Sequence, residues 1–269
     1  MDYSNLLFAC SAALFAGGLN SIAGGGTFIT LPALLSAGMS PVMANTTSAS
    51  VMFPGYLGSV LGFRDVLSSV SRKYLFILIV LSILFSSVGA TLLISSTDKF
   101  FMQVIPFLIL IATLLFATNV VNQNNILKSQ KPFLSKVLLG FVSSYGGYFN
   151  GGLGIALLSA LSFEKKYSLR ELSAIKSLLS FVITVVSVMV FISNQFVVWS
   201  YALYMIIFSV IGGYIGARLT QLVNENFIKY FVILVGLSLS VGLFYLEYLI
   251  WYGHLWNSPL RYLHLDRIN

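Results

Sequence analysis

The sequence predicts an all-α integral membrane protein built from two inverted repeats, each a broken helix hairpin with a short half-helix followed by three transmembrane helices. Three observations predict it. Of the 269 residues, 58% are hydrophobic and only 9% are charged, giving a mean hydropathy of +0.92, whereas a soluble domain averages roughly 25% charged residues. Apolar segments recur along the whole chain, and two of them are too short to cross a bilayer. The basic residues gather on one set of loops.

Taken in order, the segment 5–22 opens the chain as a retained helix, because Asp2 is the only charge before Leu6 and the basic region of a cleaved signal peptide is missing. The next segment, 27–38, has 12 residues. At about 1.5 Å per residue it falls short of a hydrocarbon core of about 30 Å, so it reads as a half-helix. Segments 43–63, 74–94 and 100–121 are full spans. The pattern then repeats, with a helix at 134–150, a second 12-residue half-helix at 152–163, and spans at 168–193, 197–217 and 226–250. Residues 1–127 form the first repeat with a cytoplasmic linker, 128–250 the second, and 251–269 a short polar and aromatic tail, all within one membrane domain.

Each half-helix follows a glycine cluster: Gly24, Gly25 and Gly26 in the first repeat, Gly151 and Gly152 with Gly154 in the second. Sliding the chain against itself by 128 residues places Gly18 on Gly146, Gly24 on Gly152, Gly26 on Gly154, Ser40 on Ser168, Ser48 on Lys176 and Phe53 on Phe181, without a gap. If each half-helix returns the chain to the side it came from, the loops after 63, 121, 163 and 217 share one face. With their flanks they carry Arg64, Arg72, Lys73, Lys128, Lys131, Lys136, Lys165, Lys166, Arg170, Arg218 and Lys229. Lys99, Arg261 and Arg267 fall on the other face. The positive-inside rule makes the first face cytoplasmic and puts both termini outside. The net charge of +7 thus has a topological meaning, and no nucleic acid partner is expected. An odd number of crossings per repeat inverts the second repeat relative to the first. Inverted repeats, each with a glycine-interrupted segment, point to a secondary transporter with a midplane site.

The glycines let an anion approach the unpaired N–H groups at a helix amino terminus, where the helix dipole is positive. Half-helices starting near Gly26 and Gly154 would converge on one anion. The alternative is that these glycines only permit close helix packing. Lys176 lies inside an apolar run, where a lysine costs about 2.5 to 3.5 kcal/mol on insertion scales, so a role toward an anion is the default; snorkelling to the cytoplasmic interface is the alternative. Ser173, Ser177, Ser180 and Thr184 make a polar stripe around it. In the first repeat the equivalent stretch is Asn45, Thr46, Thr47 and Ser48, neutral groups able to orient an oxyanion or to bond between helices. Asn20 and Asn150, beside the glycine clusters, are candidates to line the same cavity.

The carboxylates, Asp2, Asp65, Asp98, Asp266, Glu164, Glu171, Glu225 and Glu247, sit near helix ends or in tails, and His254 and His264 lie in the carboxyl tail. Cation and proton pathways usually use buried Asp, Glu or His, so an anion is the expected solute. A passive anion channel remains an alternative. An intramembrane enzyme is less favoured, because the chain has no G-x-S-x-G elbow and no H-E-x-x-H helix. Cys10, the only cysteine, allows no intrachain disulfide or cysteine cluster, and neither a cofactor nor a metal is expected. Trp251, Tyr252 and Trp256 mark the outer interface or a homodimer contact.

The stretch Ala23-Gly24-Gly25-Gly26 through Leu31-Pro32, then Gly38-Met39-Ser40-Pro41 and Ala44-Asn45-Thr46-Thr47-Ser48, resembles the first-repeat signature of the TauE/SafE sulfite exporter family. Tyr145-Gly146-Gly147, Asn150-Gly151-Gly152-Leu153-Gly154, Ser168-Leu169-Arg170-Glu171 and Lys176 resemble its second signature less closely. Leu169 and Leu172 stand where the family usually has a proline and an alanine, and Leu153 interrupts the second glycine cluster. The resemblance runs over about residues 5 to 250. It implies a bacterial-type inner-membrane permease that moves small, often sulfur-containing anions such as sulfite, sulfoacetate or thiosulfate, commonly outward. It also implies that the glycine turns, the Asn45 to Ser48 stretch and Lys176 bind substrate.

Overall fold

The computed structural model describes residues 3–22, 25–121, 132–161, 163, 167–219, 230, 233–234, 237–238 and 240–245. Every regular element among them is an α-helix: α1 (Tyr3–Ile22), α2 (Thr27–Ser36), α3 (Pro41–Gly62), α4 (Arg64–Ser69), α5 (Arg72–Ile94), α6 (Asp98–Val121), α7 (Pro132–Tyr148), α8 (Leu153–Leu161), α9 (Leu169–Ser193) and α10 (Trp199–Leu219). The two expected half-helices are present as α2, with 10 residues, and α8, with 9. The six-residue α4 occupies what reads in the sequence as a loop after the third segment. The linker from 122 to 131 and the tail from 251 fall outside the described residues.

Local chemistry sets several helix ends. α2 stops at Gly38, whose φ of 83° is left-handed, and Met39 and Gly38 donate back to the carbonyls of Leu34 and Leu35. This pairing satisfies the last turn with a residue that has no Cβ to clash. α3 starts with Ser40 at its N-cap and Pro41 in the first turn, where proline's missing N–H is no loss. The Val42 N–H is taken by the Asp98 carboxylate at 2.9 Å. α9 starts with a reciprocal cap: the Glu171 N–H donates to Ser168 Oγ, and the Ser168 N–H donates to Glu171 Oε2 at 2.8 Å.

Large apolar side chains cover the outside of the bundle. Phe76, Leu84, Val88 and Leu92 on α5, Phe107 and Ile111 on α6, and Leu203, Ile207 and Ile211 on α10 are all exposed. Water would not tolerate an apolar surface of this extent, whereas lipid matches it. Two helices, Arg72–Ile94 and Glu171–Ser193, are long and apolar enough to cross a membrane by length and composition, with mean hydropathies of 2.6 and 2.4. α3 turns polar groups inward: Asn45, Thr46, Thr47, Ser48 and Ser50 are all buried.

Packing follows the small residues. α1 lies along α10 and α5 lies along α7, while α3 and α9 meet at the centre. A Cβ on Gly17 of α1 would fall 2.0 Å from the Ser209 carbonyl oxygen of α10, and one on Gly89 of α5 would fall 2.0 Å from the Ser144 carbonyl oxygen of α7. Both crossings therefore bring backbone against backbone, as small residues allow in lipid. At the α3–α9 crossing, Phe53 and Phe181 stack with ring centroids 5.7 Å apart.

Candidate functional site

The two helix breaks lie next to each other. One joins α1 to α2 through Gly25 and Gly26, and the other joins α7 to α8 through Phe149, Asn150, Gly151 and Gly152. Phe28, in the first turn of α2, spans the gap: its Cε1 lies 2.7 Å from where a Cβ of Gly151 would sit. The Tyr145 hydroxyl donates to the Gly151 carbonyl and holds the second break in shape. Gly152 has a left-handed φ of 72°, and a Cβ there would lie 2.9 Å from the Ala112 Cβ. Gly152→Ala is therefore expected to destabilise the protein by at least the ~1–2 kcal/mol of the left-handed conformation. The melting temperature in detergent checks this.

The amino end of α8 is buried, and its own turn pairs its backbone N–H groups only in part. The N–H groups of Ile155 and Ala156 share the Gly152 carbonyl, and Leu153 N–H reaches the Asn150 carbonyl at a long 3.4 Å. Among the described residues, no backbone carbonyl takes the Gly154 N–H. Lys176 reaches this place from α9. A Cβ on Gly154 would meet Lys176 Cδ at 3.7 Å and Cε at 3.9 Å, so the lysine stem runs across the start of α8. Lys176 is half-buried, and among the described residues no carboxylate pairs with it; the ion pair found there joins Arg64 and Asp65. A lysine and a helix amino terminus thus share one place, with no carboxylate among the described residues to pair with them.

The neutral candidates divide into two groups. Asn20 and Asn150 come together beside Tyr56 of α3: Asn20 Nδ2 lies 3.9 Å from where a Cβ of the adjacent Gly55 would sit, and the Tyr56 hydroxyl donates to Asn150 Oδ1 at 3.4 Å. Asn150 Nδ2 in turn donates to Thr184 Oγ1 at 3.1 Å. Gly26 is buried against Asn20 and Met52, and Gly25 against Phe28. The second group braces neighbouring segments. Asn45 Nδ2 donates to the Tyr148 carbonyl at 3.0 Å, Thr46 donates to the Phe196 carbonyl, and Thr47 accepts from Val198 N–H at 3.0 Å. Ser48 bonds Thr30 of α2 at 2.5 Å. These are the interhelical bonds that stand as the alternative to substrate binding. Ser173 is half-buried, and its carbonyl accepts from Ser177 Oγ at 3.0 Å. Gly24 lies outside the described residues.

Sequence reasoning passed over Tyr56 and Phe28. Tyr56 had a usable signal, since the 128-residue offset pairs it with Thr184 of the polar stripe. Phe28 had none, because one phenylalanine among 22 is not distinguished by its spacing. A separate surface depression of about 340 Å³ is lined by Asp65, Val66, Ser69, Ser168 and Glu171. Its two carboxylates make it a poor place for an anion.

The profile of the sulfite exporter TauE/SafE family matches residues 9–243. The chain belongs to this family. It is 30% identical over 235 residues to a "probable membrane transporter protein" of Haemophilus influenzae, covering 84% of this chain and 89% of the relative. A "probable membrane transporter protein" of Escherichia coli K12 is 27% identical, with 87% of each chain covered. One from a Sinorhizobium species is 26% identical, covering 88% of this chain and 92% of the relative. No solved structure matches. As a member of this transporter family, the chain is an integral membrane protein, and its apolar outer surface is the face that lipid covers.

Proposed function

We propose that the protein is a secondary transporter, working as an exporter, of a small sulfur-containing anion such as sulfite, sulfoacetate or thiosulfate. It sits in a bacterial-type inner membrane with both termini outside. The reading rests chiefly on one observation: the Lys176 stem crosses Gly154, whose N–H has no backbone partner among the described residues. An anion seated there would take hydrogen bonds from the amino end of α8 and pair with the lysine. Phe28 between the two breaks would separate the bound anion from the far side until the repeats move.

Two inverted repeats are part of this reading, and the packing supports them. Pairing α1 with α7, α3 with α9 and α5 with α10 turns the contact of α1 on α10 into the contact of α7 on α5. Phe53 and Phe181, 128 residues apart, stack on each other, as equivalent side chains do beside a two-fold axis. The departure from symmetry falls at the substrate end. Where Ser48 ties α3 to Thr30 of the half-helix α2, its counterpart Lys176 leans over the half-helix α8 instead.

Thermal stabilisation of the purified protein tests the reading across sulfite, thiosulfate, sulfoacetate, sulfate, chloride and a few cations. A ligand raises the melting temperature only if the folded state binds it, by about 2.7 kcal/mol at 100 times its Kd. The expected result is a shift with a sulfur oxyanion and none with cations. A shift confined to cations would sink the proposal.

A further inference from the structure

We infer that the Tyr56 hydroxyl is a hydrogen-bond donor to the transported anion, handed over from Asn150 when the site fills. The inference rests on the anion-transport reading above and adds a third donor to Lys176 and the α8 amino terminus. The direction of each bond near Tyr56 follows from donor and acceptor arithmetic. Thr184 Oγ1 donates its one proton to the Ser180 carbonyl at 2.7 Å, so toward Asn150 it can only accept. That turns Asn150 Nδ2 to Thr184 at 3.1 Å and leaves Asn150 Oδ1 facing Tyr56. Tyr56 must then donate to Asn150.

The Tyr56–Asn150 bond is the loose member of this chain. At 3.4 Å it is far longer than the 2.7–2.8 Å typical of O–H···O bonds. Tyr56 itself is 7% exposed, so its proton has no water to turn to. A hydroxyl with a stretched neutral acceptor is poised for a better one, and an oxyanion is such an acceptor, forming charge-assisted bonds roughly twice as strong. The place is right as well. Asn20, whose Nδ2 lies 3.9 Å from where a Cβ of Gly55 next to Tyr56 would sit, lies against Gly26 at the start of α2, its Cβ 3.2 Å from where a Gly26 Cβ would be. Asn150 belongs to the break that begins α8. Tyr56 therefore stands between both half-helix amino ends, and withdrawing its proton from Asn150 would signal occupancy to the second break.

Tyr56→Phe removes the hydroxyl and keeps the ring. The expected result is a melting temperature without anion close to that of the unsubstituted protein, with the Kd for sulfite or thiosulfate raised about 10- to 100-fold. Thr184→Val, which frees the Asn150 amide to turn and so removes the acceptor competing for the Tyr56 proton, should lower the same Kd severalfold and serves if Tyr56→Phe folds poorly. An unchanged Kd in Tyr56→Phe, while Lys176→Met abolishes binding, would overturn the Tyr56 role and leave the anion site standing. If no sulfur oxyanion, sulfoacetate included, stabilises the unsubstituted protein, both fall together.

Discussion

Lys176→Met is expected to give a protein that inserts and folds but has lost most of its anion affinity. Methionine keeps an unbranched stem, so the packing over Gly154 survives. Insertion becomes easier, since a lysine inside a span costs about 2.5 to 3.5 kcal/mol. Losing one partner of a desolvated ion pair typically costs about 2–5 kcal/mol of binding, which corresponds to a rise in Kd of about 30-fold or more. The reading takes Lys176 as the nearest charge to the anion, and the backbone N–H of Gly154 and its neighbours supply only dipoles. Transport measured in proteoliposomes should fall with the same substitution. Uptake or efflux unchanged from the unsubstituted protein would mean that the lysine serves the cytoplasmic interface by snorkelling. Lys176→Arg separates charge from shape: a charge-only role predicts partial rescue, whereas a site fitted to the compact ammonium does not.

The helical character and the two short helices were legible because lipid imposes simple length rules. A 12-residue apolar run bounded by glycines cannot span, and α2 and α8 are found where those runs lie. The bulk properties of the chain fixed the membrane, and Gly26 and Gly154 fixed the breaks to within a residue. The α9 start was also written plainly, as Ser168 followed three residues later by Glu171. The candidate site was less legible. Asn45, Thr46 and Thr47 have the composition of a binding stretch, and composition does not reveal partners. Their bonds to Tyr148, Phe196 and Val198 join residues more than 100 positions apart. Phe28 was hidden for the same reason, whereas Tyr56 was marked only by its 128-residue offset from Thr184. An aromatic residue in an apolar chain is the commonest sort of packing residue, and only the fold shows which ring lies between two helix breaks.

The largest effect on assembly is expected from the two backbone crossings. Gly17→Val on α1 would drive a branched side chain into the Ser209 carbonyl oxygen, 2.0 Å from the first added atom, with Gly213 N at 2.9 Å. Gly147→Val on α7 would do the same against Ser86 of α5, whose carbonyl oxygen is 2.2 Å away. In neither case is the obstacle a flexible side chain, so relief requires one whole helix to move off the other. That would also break the bond from Ser144 Oγ to the Phe85 carbonyl at 3.1 Å in the α5–α7 pair. Ordinary overpacking costs about 1–3 kcal/mol, and these positions should exceed it because a rigid pair must separate. Lipid gives no hydrophobic force to hold a partly separated pair together, since packing and hydrogen bonds are what join helices there. Each variant should therefore lose its monodisperse peak in detergent size-exclusion chromatography. Gly58→Ala is the control: it lies on α3 with nothing within 4 Å of an added Cβ, and alanine favours a helix over glycine by about 1 kcal/mol. It should match or exceed the melting temperature of the unsubstituted protein. Gly17→Val and Gly147→Val behaving like Gly58→Ala would mean that α1 on α10 and α7 on α5 are not the contacts that hold the bundle together.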